Sequence, residues 1–220
     1  MRYEELITMN DNFNFYTLGE EIANAITHGL GLLLAIAGTV VLIVMAAFTK
    51  DPYKIVSVSI YGFTLIMLYL GSTLYHSIPG RTAKKVFRII DHSTIFLLIA
   101  GSYTPFTLIV LRQGIGWYIF GAIWLIAIIG IVFKAVCMDK LSKLSTWLYI
   151  LMGWTIVIDI KNVISNLEVS TIVLLVAGGL SYTLGCIFFA KDDWKFNHAI
   201  WHLFVMAGSI FQYFAIMQII

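Results

Sequence analysis

The chain has 220 residues, of which 60% are hydrophobic and 12% charged, and its formal net charge is +2. Its mean hydropathy of +0.91 excludes the composition of an ordinary soluble globular domain. The small net charge, without a basic cluster larger than a membrane-protein loop carries, gives no indication of nucleic-acid binding. The sequence therefore predicts an integral membrane protein.

Seven apolar stretches follow one another along the chain. Each is long enough to cross about 30 Å of hydrocarbon at about 1.5 Å per residue, and helices are expected because lipid offers backbone groups no other partner. The predicted fold is all-α: a polytopic membrane protein with a seven-transmembrane helix bundle. The whole chain (1–220) is one domain, and its first residues (1–25) form a short cytoplasmic segment. The predicted spans are about 26–48, 55–78, 89–111, 115–136, 146–163, 169–190 and 197–219.

Short connections predict that successive helices are antiparallel neighbours. Within the third span, Pro105 is expected to kink the helix and to free a carbonyl group that Ser102 or a neighbour must satisfy. The fifth span is the least regular, because Asp159 and Lys161 shorten its apolar run. The polar and acidic stretch from Met1 to Tyr16 does not have the pattern of a cleavable signal peptide, so the first span is expected to insert by itself.

The distribution of lysine and arginine predicts the orientation. If the N-terminus is inside, ten of these residues lie at inner segments and four at outer segments. Basic residues concentrate on the cytoplasmic side of membrane proteins, which places the N-terminus in the cytoplasm and the C-terminus outside. The inner ten are Arg2, Arg81, Lys84, Lys85, Arg88, Lys134, Lys140, Lys143, Lys191 and Lys195.

All five histidines of the chain fall at inner ends of predicted spans. Ionisable groups are costly near hydrocarbon and usually face the interior of a bundle, so their clustering predicts a site. The five are His28 in the first span, His76 at the end of the second, His92 at the start of the third, and His198 and His202 at the start of the seventh.

The histidine spacing is typical of a metal site. His198 and His202 are four residues apart on one helical face, and the ends of the second and third spans can add His76 and Asp91 if these spans are adjacent. Three imidazoles leave an open position on zinc, as in catalytic sites, and Asp91 would hold the water there or take its proton. Ser72, four residues before His76, would orient Asp91, a ligand or a substrate oxygen. The alternative is that these are hydrogen-bonded packing histidines, and imidazole also suits iron, copper and nickel.

A second set of polar residues is expected around the ligands. Glu21, Asn24 and His28 fall on one stripe of the first helix, which would line the base of the cluster if turned inward. The alternative for Glu21 is capping of the helix N-terminus, which favours acids. His28 and His92 are candidates for proton handling beside the ligands, and the alternative for both is an ordinary interface histidine.

At these residues the chain resembles the hemolysin III family, a prokaryotic branch of the progestin and adipoQ receptor superfamily. The resemblance covers essentially the whole chain and implies that His76, His198 and His202 bind zinc, while Asp91 contacts the metal-bound water. The matching motifs are Glu21-x-x-Asn24-x-x-Thr27-His28, Ser72-x-x-x-His76, Asp91 with the later Gly101-Ser102-Tyr103-Thr104-Pro105-Phe106, and His198-x-x-x-His202.

The wider relation to alkaline ceramidases implies hydrolysis of a lipid amide or ester, with a membrane lipid as partner and a site near the cytoplasmic face of the cell membrane. No protein hormone is expected as a ligand, because only about twenty residues precede the first span. Spans four to six carry none of the motifs and are expected to decide the substrate pocket.

Three functions follow from these residues and this resemblance. The first is a zinc-dependent intramembrane hydrolase. The second is a receptor or sensor that contains zinc but turns nothing over. The third is a membrane-disrupting, cytolytic protein, as the family name suggests.

Overall fold

The computed structural model describes residues 16–137, 142–190 and 194–220, and every regular element in these ranges is helical. Arg2, Lys140 and Lys191, which entered the orientation argument, lie outside the described residues. The helices are α1 (Leu18–Thr49), α2 (Pro52–Ser77), α3 (Arg81–Pro105), α4 (Gly116–Cys137), α5 (Ser142–Gly153), α6 (Ile160–Asn166), α7 (Val169–Phe189) and α8 (Asn197–Gln218).

The seven predicted membrane spans are confirmed. Five helices are individually long and apolar enough to cross a membrane. The third span consists of α3 and the π-helical turn that follows it, and the fifth span consists of α5 and α6 with the segment between them. Two spans start well before the predicted residue: α1 at Leu18 rather than about 26, and α3 at Arg81 rather than about 89. Their first turns are polar, so hydropathy alone misses them.

The start of α1 is set by a capping box rather than by hydrophobicity. The Thr17 hydroxyl accepts a hydrogen bond from the Glu20 backbone N–H, and the Glu20 carboxylate accepts one from the Thr17 N–H at 2.9 Å. Such reciprocal bonds satisfy amide groups that the first turn of a helix leaves unpaired. With this added turn, α1 has 32 residues.

Burial in the bundle differs from that in a soluble protein at both the surface and the interior. Long aliphatic and aromatic side chains cover the outside, among them Leu33, Phe48 and Val169, each more than half exposed. Polar side chains such as Asn24, Thr64 and Ser72 are fully buried instead. This pattern fits a surface that faces lipid and an interior that collects the groups lipid cannot solvate.

The helices pack in an order that places α1 between the two elements that carry the predicted metal ligands. Helix α1 packs against α2 on one side and α8 on the other, while α2 also packs against α3 and α8 against α7. Successive spans are therefore neighbours along α1 to α4 and again from the fifth span (α5 and α6) through α7 to α8, as predicted. Helix α5 also packs against α3, which closes the bundle.

Pro105 ends α3, and a π-helical turn, Phe106–Val110, follows it. Of the two predicted partners for the carbonyl freed by the proline, Ser102 or a neighbour, Ser102 is excluded, because its hydroxyl donates to the Ile99 carbonyl at 2.9 Å. The nearby Thr107 hydroxyl donates to the Tyr103 and Thr104 carbonyls at 2.9 and 3.1 Å. Backbone groups around the irregular turn thus find side-chain partners inside the bundle.

The fifth span is broken in its middle by the 3-10 segment Thr155–Asp159 between α5 and α6. The Tyr103 hydroxyl lies against this break, donating to the Gly153 carbonyl at 2.8 Å and accepting from the Ile156 N–H at 2.9 Å. The Trp154 indole N–H donates to the Thr183 hydroxyl at 3.1 Å. These bonds tie the irregular segment to α3 and α7.

Helices α2 and α3 approach closely at Gly101, where an added Cβ would overlap the Thr64 side chain. We expect Gly101→Ala to lower the thermal unfolding temperature in detergent, because overpacking costs about 1–3 kcal/mol and outweighs the gain of up to about 1 kcal/mol from alanine in a helix. The matched control is Gly121→Ala on α4, where a Cβ has nothing within 4 Å. This control should be neutral or stabilising, and equal effects of the two substitutions would contradict the packing.

Candidate metal centre

Three histidines converge at the end of the bundle where α2 ends and α8 begins. His76 comes from the last turn of α2, and His198 and His202 from the first turns of α8. One ring nitrogen from each lies within 4.8 Å of the others, which brings them close enough to hold one metal ion. The spacing of four residues in α8 achieves this by placing both rings on one face of the helix.

Each of the three imidazoles is held at its Nδ1 atom by a group near the start of α1. The Glu21 carboxylate lies 2.7 Å from His76 Nδ1, and the Asn24 carbonyl oxygen lies 3.2 Å from His202 Nδ1. The Tyr16 hydroxyl lies 3.1 Å from His198 Nδ1. Helix α1 contributes no predicted ligand, yet its first turns, together with Tyr16 two residues before the helix, orient the three rings.

These contacts decide which nitrogen is left for a metal. A carbonyl oxygen and an ionised carboxylate only accept hydrogen bonds, so the Nδ1 atoms of His202 and His76 carry the hydrogen and their Nε2 atoms keep a free lone pair. The Nε2 atoms of His76 and His198 are buried without a hydrogen-bond partner among the described residues. Buried nitrogens of this kind require a partner, and a divalent metal ion fits the donor set.

The carboxylate behind His76 belongs to a longer buried chain. Glu21 forms an ion pair with Lys84 of α3, with 2.7 Å between Oε1 and Nζ. The Lys84 ammonium also donates to the Tyr75 carbonyl at 3.1 Å. Sequence reasoning did not single out Lys84, although it lies seven residues before Asp91 and therefore on the same face of α3.

The alternative that Glu21 caps the helix N-terminus is wrong, because Glu20 forms the capping box and Glu21 turns inward to His76. The Glu20 carboxylate also accepts a hydrogen bond from the Phe196 N–H at 3.1 Å, just before α8 begins. Glu20 therefore connects the start of α1 to the start of α8, while Glu21 forms a hydrogen bond with His76.

Asp91 is buried and lines a small cavity together with His198 and His202. Ser72 is fully buried beside the Asp91 carboxylate, although its hydroxyl makes no hydrogen bond of standard geometry to a described residue. This arrangement brings the predicted acid to the ligands and places Ser72 where it can orient Asp91.

The remaining predicted residues also lie at the cluster. The Asn24 amide nitrogen is 3.4 Å from His76 Nδ1, and the His28 ring stacks on His202. His92 lines the same small cavity as Asp91, while its backbone carbonyl accepts a hydrogen bond from the Tyr149 hydroxyl at 2.9 Å. The roles assigned to all these residues stay predictions.

A larger apolar cavity of about 210 Å³ adjoins the histidines. Its wall is formed by α2, α3, the π-helical turn, α5, α6, α7 and α8 and by the 3-10 segment, so the fifth and sixth spans contribute to it. The expectation that spans four to six decide the substrate pocket stays a prediction. Helix α4 packs against α3 and has no residue in the wall. The two cavities share four lining residues, namely Leu68, Ile95, Trp201 and Val205. Cys186 also lines the larger cavity.

Comparison with known proteins adds an independent observation. Residues 16–213 match the family described as Haemolysin-III related. The chain is 48% identical to Hemolysin-3 of Bacillus cereus over 198 residues, which cover 90% of each protein. It is 44% identical to the Hemolysin-3 homolog of Bacillus subtilis (strain 168), over 92% of this chain and 95% of the relative. It is also 31% identical to the monocyte to macrophage differentiation factor of Homo sapiens, over 91% of this chain and 84% of that protein.

We predict that Glu21→Gln weakens metal binding about 10- to 100-fold, the range typical when a group that orients a ligand is changed. Glutamine keeps the shape of the side chain but removes the charge that polarises His76 and pairs with Lys84. The measurement is competition with a chelator of known affinity on purified protein, with zinc, cobalt and nickel tested in turn.

The matched control for this prediction is Glu20→Gln. Glutamine also serves at this position of a capping box, and Glu20 does not contact the three histidines, so metal affinity should stay within about twofold. Equal affinities for wild type and both variants would contradict the role of Glu21.

Proposed function

The chain belongs to the hemolysin III family, and from that membership and its histidine cluster we propose that it is a zinc-dependent intramembrane hydrolase of a lipid amide or ester. One observation carries the proposal above the others. The cavity beside the histidines shares Leu68, Ile95, Trp201 and Val205 with a large apolar cavity. A polar reacting group and the chain attached to it can therefore lie in adjoining spaces.

In this proposal His76, His198 and His202 hold the zinc ion through Nε2. When bound, zinc supplies a Lewis acid for the carbonyl oxygen and makes a water molecule a stronger acid. Three nitrogen ligands leave a position open for this chemistry, whereas closed structural sites use four protein ligands. The hydrogen bonds that the rings form with Glu21, Asn24 and Tyr16 keep the three rings in place as substrate enters.

Asp91 is the proposed general base. It takes a proton from water as the water oxygen forms a bond to the carbonyl carbon. It then returns that proton to the leaving nitrogen or oxygen as the carbon–nitrogen or carbon–oxygen bond breaks. Ser72 lies beside Asp91 and would keep the carboxylate turned toward the water.

The large cavity would hold the acyl chain of the substrate. Its walls are mainly aliphatic and aromatic side chains, among them Ile99, Phe106 and Leu175. Each methylene group transferred from water to an apolar site contributes about 0.8 kcal/mol. The acyl chain of a membrane lipid is already out of water in the bilayer, so its transfer into the cavity does not bring this gain. The cavity would therefore select a chain by fit and length rather than by hydrophobicity alone.

The protein is a multi-pass membrane protein, and we place it in the cell membrane with the histidine end toward the cytoplasm. Charge supports this orientation: among the described residues Arg81, Lys84, Arg88 and Lys134 are at that end. A substrate on this side would come from the cytoplasmic leaflet.

A second candidate function is disruption of a membrane, which the names of the two Bacillus relatives suggest. Lysis by products of lipid hydrolysis would depend on Asp91, whereas direct disruption would not. A zinc-containing sensor without turnover would bind metal and form no product. The following experiment separates these functions.

We expect His202→Ala to lose most of its bound zinc, and Asp91→Ala to keep close to one zinc per chain while kcat falls about 10²- to 10⁴-fold, the usual contribution of a general base. The measurements are metal content and release of fatty acid from ceramide and phosphatidylcholine vesicles. The control is Asp159→Ala, which removes a carboxylate that contacts Asn162 in the fifth span and should leave both quantities unchanged.

Undiminished turnover in Asp91→Ala and His202→Ala would exclude the hydrolase. Zinc binding without any product would favour the sensor. Dye leakage from liposomes that survives both substitutions and zinc removal would favour direct membrane disruption.

The acyl cavity makes a separate prediction. Ile99→Trp should fill part of the cavity and lower kcat/KM for a 16-carbon acyl chain about tenfold or more relative to a 6-carbon chain, because a long chain needs the filled space. The matched control is Leu125→Trp on α4, where the side chain is 58% exposed on the outer surface. A similar chain-length profile in both variants would contradict acyl binding in this cavity.

A further inference from the structure

His28 is a buried histidine that the proposed mechanism does not use. Its ring stacks on His202 with 3.5 Å between centroids and 14° between planes. Tyr69 packs edge to face against it, with 5.0 Å between centroids. The orientation of His28 is therefore fixed by its neighbours on both sides.

Both ring nitrogens of His28 are buried, and neither has a hydrogen-bond partner within the described part of the chain. The side chain is only 3% exposed. An unsatisfied buried polar atom costs about 1–3 kcal/mol, whereas a phenylalanine ring would stack on His202 without this cost. A histidine at this position needs a partner that is not another side chain.

The small cavity supplies the space for such a partner. Its volume is about 20 Å³, and its polar wall consists of His28, Asp91 and His92 with the ligands His198 and His202. A space of at least about 10–15 Å³ with two to four polar neighbours is enough for one water molecule. The cavity therefore fits one water, between the histidine cluster and the large apolar cavity.

We propose that this cavity is a water site built by His28 and Asp91, and that His28 is a catalytic residue that holds the reacting water. This inference rests on the proposed hydrolase function. A neutral His28 accepts one hydrogen of the water through a ring nitrogen, while the Asp91 carboxylate accepts the other. With both hydrogens held, the lone pairs of the oxygen are free for the carbonyl carbon.

The step is balanced without a further reactant. Asp91 takes the proton of the O–H bond that it holds, the water oxygen forms its bond to the carbonyl carbon, and the electron pair of the carbonyl π bond moves to the carbonyl oxygen until the leaving group departs with the proton from Asp91. His28 keeps the other hydrogen in its hydrogen bond and does not change its protonation. Its contribution is to remove the rotational freedom of the water, and misplacement of a reacting group by about 1 Å can cost about 10²-fold in rate.

The test combines a structure with kinetics. A high-resolution crystal structure of the zinc-loaded wild type should show an ordered water within about 2.6–3.2 Å of a His28 nitrogen and an Asp91 oxygen. In His28→Phe, which keeps the ring stacked on His202, this water should be lost. For ceramide and phosphatidylcholine vesicles, kcat should fall about 100-fold while KM and zinc content stay within about twofold.

The matched control is Tyr69→Phe, which removes only the hydroxyl of Tyr69 and leaves the ring that packs against His28 in place. This variant should keep the water and the wild-type kcat. His28→Asn serves as a second test, since an amide oxygen can accept the same hydrogen bond. It should retain more activity than His28→Phe, and it decides the question if the phenylalanine variant does not fold.

Two results would overturn the inference. One is a wild-type map with ordered waters elsewhere in the bundle interior but none between His28 and Asp91. The other is a His28→Phe variant with wild-type kcat. If the wild type hydrolyses neither lipid, the hydrolase proposal fails, but the water in the map still tests the site by itself.

Discussion

The hydrogen bonds from the beginning of α1 to the three imidazole Nδ1 atoms are the interaction on which the rest of the site depends. They fix the side of each ring that faces the centre, so three nitrogens on two separate helices can point to one place. They also satisfy polar atoms that lipid cannot hydrate. Because the partners are a carboxylate at His76, a phenol at His198, and a backbone carbonyl with the Thr27 hydroxyl at His202, the three imidazoles are not equivalent. His76 alone is backed by a charge, and Lys84 balances it.

Much of the fold follows from the sequence, because lipid makes hydropathy and helix length decisive. The seven spans needed only the apolar runs, and the pairing of His198 with His202 needed only their spacing of four residues, whereas the approach of His76 depended on which helices are neighbours. The start of α1 depended on hydrogen bonds between Thr17 and Glu20, which a hydropathy profile does not register. The break in the fifth span is held by the Tyr103 hydroxyl, which is 50 residues from Gly153 and 53 from Ile156 along the chain.

The arrangement of α1 between α2 and α8 was also beyond the sequence argument, which required the ligand-bearing spans to be direct neighbours. What a single sequence lacks is the order of helices around the bundle. Lys84 shows the same limit: its place on the face of α3 with Asp91 was readable, but its pairing with Glu21 depends on how α1 meets α3. Side-chain type and spacing indicated the candidate ligands, while helix packing decided which groups form hydrogen bonds and ion pairs around them.

The length of α1 links the surrounding bilayer to this chemistry. A helix of 32 residues is about 48 Å long, while the hydrocarbon core of a bilayer is about 30 Å thick. Such a helix must project into the headgroup region or tilt, and a thinner bilayer increases the mismatch. Since the same helix orients the three imidazoles, membrane thickness acts on the element that sets the ligand geometry. The choice of detergent or lipid mixture is therefore a variable in any measurement of metal affinity on this protein.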